Sequence, residues 1–119
     1  MFRAVFALAM VSALPADAAE FAAVREEAQF VSLIDGRDLR ISMFALTLTL
    51  SADGNIAGSA LGSPITGSWA WKDGFFCREM DWSGTPISYN CQLVEIRGDD
   101  RMRFTVDRGA GDSASFDLE

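Results

Sequence analysis

Arg78, Trp82, Asn90 and Gln92 are the side chains whose types and spacing could form a binding site. A hairpin centred on Gly84 sets Arg78 opposite Asn90 and Phe76 opposite Gln92, while Phe76, Arg78, Met80 and Trp82 share one face of their strand. If that face turns inward, a guanidinium and two amides converge among aromatic rings, an arrangement that suits a carboxylate or another anion. If it turns outward, the same residues make a solvated patch. The surrounding aromatics, Trp69, Trp71, Phe75, Phe76, Trp82 and Tyr89, carry the same two readings, as packed core or as the lining of a barrel mouth.

Other constellations point less clearly to chemistry. Glu79 and Asp81 lie two apart on one strand, about 7 Å at the backbone, where a carboxylate pair can hydrolyse glycosides. Nothing in the pattern drives their pKa values apart, so no catalytic residue is assigned and the chain reads as a binder rather than an enzyme. Asp99-Asp100 and Asp107 with Asp112 do not reproduce the spaced oxygen ligands of a calcium loop, and they read as solvated turns. Gly109-Ala110-Gly111 lacks the third glycine and the strand-to-helix setting of a dinucleotide site. No metal or cofactor is expected. The absence of histidine removes Ser-His-Asp and Cys-His catalysis and His-assisted zinc chemistry. A net charge of -7 argues against binding to nucleic acid or anionic lipid, which both require a basic face.

The N-terminus reads as an address. Met1-Phe2-Arg3, an apolar run from Ala4 to Leu14, and the small residues Ala16, Ala18 and Ala19 follow the order of a secretory signal, with cleavage expected after Ala18. Residues 1–18 are thus a signal peptide and 19–119 a single β-rich domain. The apolar run falls short of the roughly 20 residues of a spanning helix, so no membrane span is expected. Export to the periplasm or beyond places Cys77 and Cys91 in an oxidising compartment, where a pair becomes a disulfide. The Gly84 hairpin sets the two cysteines face to face, and closing a loop of this size contributes about 3 kcal/mol.

The elements that position these residues follow from periodicity. Residues 20–34 suggest a short helix, with Phe30, Leu33 and Ile34 on one side and Gly36 as its stop. Leu46, Leu48 and Leu50 then alternate with threonines, and Gly- and Asp-rich turns recur at short intervals. Strands are expected near 44–51, 55–61, 65–72, 75–82, 87–96, 101–107 and 113–118, with an extra edge strand at 39–42. Connections this short favour antiparallel neighbours. The fold is therefore mainly β: an antiparallel seven- or eight-stranded meander with one short N-terminal helix, closed as a small barrel or left as a strongly bent sheet. In the last hairpin Met102, Phe104 and Val106 are expected to face Leu118, Phe116 and Ala114.

The stretches Ser51-Ala52-Asp53-Gly54, Ile65 through Arg78, Asn90-Cys91-Gln92, and Arg103-Phe104 with Asp107 through Gly111 resemble a group of small exported alphaproteobacterial proteins often labelled dihydrodipicolinate reductase. The label implies a nicotinamide-dependent oxidoreductase. Such an enzyme needs a glycine-rich turn at a helix start and a histidine-rich catalytic motif, and this chain has neither. The expected function is instead a monomeric, exported, non-catalytic binding or interaction module, with a small ligand or an envelope protein as partner. Alternatives are the reductase of the label and a structural envelope protein without a small ligand.

Overall fold

Nine short strands and one helix account for most of residues 20–119, which are the residues described by this computed structural model. They are β1 (Ala22–Val24), α1 (Glu27–Ile34), β2 (Asp38–Ile41), β3 (Leu46–Leu50), β4 (Asn55–Ala60), β5 (Ser63–Lys72), β6 (Phe75–Trp82), β7 (Thr85–Arg97), β8 (Arg101–Thr105) and β9 (Ser113–Leu118). Strands β2 to β9 pair antiparallel in sequence order, and β9 returns to β2, so the meander closes into an eight-stranded barrel. The signal-peptide reading concerns residues outside those described.

Closure settles the choice between a barrel and a bent sheet, and it changes the standing of β2. This segment is not an edge: Leu39 pairs with both Leu48 and Leu118, so β2 is a stave at the seam. A closed barrel leaves no unpaired sheet edge among its staves. Its curvature needs close backbone approach, which glycine permits at Gly58 and Gly67. A Cβ on Gly58 would collide with the Thr47 carbonyl, and one on Gly67 with the Glu79 carbonyl.

The interior follows the period of two. Leu48 and Leu50 of β3, Ile56 of β4, Ile65 and Trp69 of β5, Phe76 of β6, Val94 and Ile96 of β7, and Phe104 of β8 are all buried in one core. Helix α1 covers one end of it. Eight residues form too short a helix to persist alone, so packing holds it. Phe30 is completely buried, and its ring lies 4.9 to 5.3 Å from those of Trp69, Trp71 and Phe76. Gly36, at φ +66°, takes the left-handed conformation that ends the helix. Arg37 then ties this end together by donating to the carbonyl oxygens of Asp99 and Leu118.

Three local features differ from the sequence expectation. The helix begins at Glu27 rather than near residue 20, because residues 22–24 form β1 against Val94–Ile96 of β7. Three residues are too few to display alternation, and β7 supplies the pairing. Phe44 does not begin β3: Ser42–Phe44 is a 3-10 turn, closed by Ala45 at φ 45°. In the last hairpin the register is two residues tighter than expected, with Phe104 opposite Ala114 and Met102 opposite Phe116. A shift of two keeps the inward face inward. It also brings Arg101 to Asp117, where the two form an ion pair at 2.6 Å.

Candidate binding cavity

The meander sorts its turns between two ends. Turns 51–54, 73–74 and 98–100 lie with α1 at the closed end, whereas 42–45, 61–62, 83–84 and 106–112 surround the other. The latter end is open. Met43, Phe44 and Leu61 stand on its rim with large exposed apolar surfaces, and monomeric proteins seldom group such residues without use. Beneath the rim an apolar groove of about 290 Å³ runs among Leu46, Ile65, Trp82 and Ile87. It adjoins an inner cavity of about 170 Å³ across Leu48, Met80 and Phe116, which line both.

The inner cavity is apolar except for Arg78 and Gln92. Their strands bring them together as the sequence suggested: Arg78 pairs with Asn90 and Phe76 with Gln92. Beyond Arg78 the register slips by one at a β-bulge, so Met80 faces Ile87 and Asp81 faces Pro86. A bulge leaves one residue of the longer strand outside the regular ladder. Here the Ser88 carbonyl accepts a hydrogen bond of 2.6 Å from Arg78 Nη1. That bond fixes the guanidinium at the cavity wall. No carboxylate lies within ion-pair distance of Arg78 among the described residues, and burial lowers its pKa below the ordinary arginine value. Gln92 is 7% exposed and lines the same cavity.

The other two candidate contacts serve different ends. Trp82 lines the outer groove rather than the inner cavity, and its indole N–H donates to the Ala60 carbonyl at 3.1 Å. The Asn90 amide is engaged twice by Asp107: Nδ2 donates to Asp107 Oδ1, and the Asp107 backbone N–H donates to Asn90 Oδ1. It seals the junction between β7 and the 107–109 turn. Trp69 and Trp71 likewise spend their indole donors on the backbone carbonyls of Ser51 and Arg25. These two rings pack with Phe30 in the core, while Tyr89 stands on the outer surface near Lys72.

Cys77 and Cys91 form the expected disulfide between directly paired residues, with a Cα–Cα distance of 3.9 Å. They face away from the cavity, on the side of β6 and β7 opposite Arg78 and Gln92. Glu79 is exposed on that outer side, and Asp81 accepts the Gly84 backbone N–H at 2.8 Å, holding the hairpin turn. Among the described residues no three His, Cys, Asp or Glu side chains gather as a metal site. None of their helices is long and apolar enough to cross a membrane.

The bulge and the rim differ in how they are marked in the sequence. The residues Ile87–Tyr89 carry no glycine or other mark of the extra residue, whereas Met43-Phe44 and Leu61-Gly62 place large apolar side chains in turns, which is the signal for an apolar rim. Comparison with family models, with curated proteins and with solved structures finds no match.

Proposed function

We propose that the protein is an exported, non-catalytic binding barrel that takes up a small amphipathic ligand through its open end and holds the ligand's anionic group against Arg78 and Gln92. One observation carries this reading: a guanidinium set in an apolar wall with no carboxylate partner among the described residues. A charge partly withdrawn from water gains from a counter-charge, and an incoming anion would supply one. The Gln92 amide adds a second donor beside it. The small-residue signal at residues 1–18 and the Cys77–Cys91 disulfide support an oxidising, extracytoplasmic location. The reductase reading gains no support, since a pure antiparallel meander offers no strand-to-helix glycine turn for a dinucleotide phosphate.

The test is titration of protein recovered from the periplasm with 1-anilinonaphthalene-8-sulfonate, an anionic amphipath, alongside its intact mass. Saturable fluorescence enhancement at one site, lost in Arg78→Met, and a mass beginning at Ala19 are expected. Absence of saturable binding would contradict the cavity reading, and an uncleaved chain would contradict export.

A further inference from the structure

We infer that the ligand is an alkyl monocarboxylate bound with its carboxylate innermost and its hydrocarbon chain leading out through the open end. This rests on the binding-barrel reading and specifies what the cavity recognises and in which orientation. The polar groups lie on the inner cavity's wall: Gln92 is buried there and Arg78 partly so, the one cation in that lining among the described residues. One guanidinium, with a single N–H already committed to Ser88, matches one negative charge, and the Gln92 amide, more than nine-tenths buried in the same cavity, can donate to the same oxygens.

Everything outward of that pair suits hydrocarbon. The adjoining groove is lined by apolar side chains, and its one indole donor, on Trp82, is spent on Ala60. A polar group there would lose water and gain no partner. The opposite direction is shut, because the aromatic ring of Phe30 packs on Phe76 and Trp69 at the closed end. A head group at Arg78 therefore leaves only the mouth for its tail, past Met80 and along Phe44 and Leu61 on the rim. Since a cavity of about 150 Å³ accommodates a benzene-sized group, the two hollows together hold a chain of roughly ten to sixteen carbons.

Calorimetric titration of the purified, delipidated protein with dodecanoate, dodecanol, butanoate and a dodecanoate carrying a bulky fluorophore at its tail end tests each part. Dodecanoate is expected to bind at least about tenfold more tightly than dodecanol, from the charged hydrogen bonds, and more tightly than butanoate, from the buried chain. The tail-labelled acid should bind within about threefold of dodecanoate, its fluorophore lying outside the rim, while Arg78→Met should bring dodecanoate down to the affinity of dodecanol. Equal binding of dodecanol and dodecanoate, or loss of binding on labelling the tail, would overturn the inward carboxylate while leaving an amphipath-binding barrel intact. Butanoate binding as tightly as dodecanoate would overturn the alkyl chain and leave only an anion site. If none of these compounds nor the anilinonaphthalene sulfonate binds, the underlying reading fails with it.

Discussion

Replacing Arg78 by methionine keeps most of the side chain's apolar stem and removes the only charge from the inner cavity wall. Binding and stability should then move in opposite directions. A partly desolvated cation without a carboxylate partner among the described residues adds little to folding, and apolar replacements of such charges are often neutral or stabilising. We therefore expect Arg78→Met to leave the urea midpoint unchanged or to raise stability by about 1 kcal/mol, while abolishing the anionic component of binding. A fall in stability would mean that the bond to Ser88 is structural and that the guanidinium is not held for a ligand. Gly58 presents the contrary case, a residue kept for packing alone. Gly58→Ala drives a methyl into the Thr47 carbonyl and should cost about 1–3 kcal/mol in urea unfolding, as overpacking of a tight core does.

Among the elements, α1 does the least by itself and the most by contact. Phe30 joins the helix to Trp69, Trp71, Phe76 and Phe104, so Phe30→Ala should lower stability by about 3–5 kcal/mol, measured as a shift in chemical unfolding. The strand carrying Arg78 is held differently, by a covalent tie to β7 on its outer face. Changing both Cys77 and Cys91 to alanine should cost about 3 kcal/mol by the loop-entropy argument, yet leave the cavity chemistry in place, because Arg78 and Gln92 lie on the other face. Strand order and the hairpin register at Cys77 could be read from sequence because alternation and short turns leave few alternatives, whereas both faces of β6 carry apolar and polar residues and the inward one could not be chosen. The parts that could not be read depend on neighbours far along the chain. Ala22–Val24 becomes a strand only because β7 outruns β6, and β2 becomes a stave only because β9 comes round to meet it. Asn90 could be placed on the correct strand from its spacing, but its engagement by Asp107, 17 residues on, could not.

At the scale of the whole molecule, the net negative charge and the cavity bear on recognition in different ways. A net charge of -7 repels anions over long range, so recognition of a carboxylate has to be local. The architecture meets that requirement by closing one end with aromatics, leaving the other open beside the Phe44 and Leu61 rim, and setting one cation between the two ends. The most direct measurement is a nuclear magnetic resonance titration of the isotope-labelled protein with dodecanoate, following the Gln92 side-chain amide and the Met80 methyl. The account predicts that both resonances shift and saturate together, while those of Tyr89 and Lys72 on the outer surface stay still. Unmoved Gln92 and Met80 signals, or shifts confined to the outer surface, would contradict it.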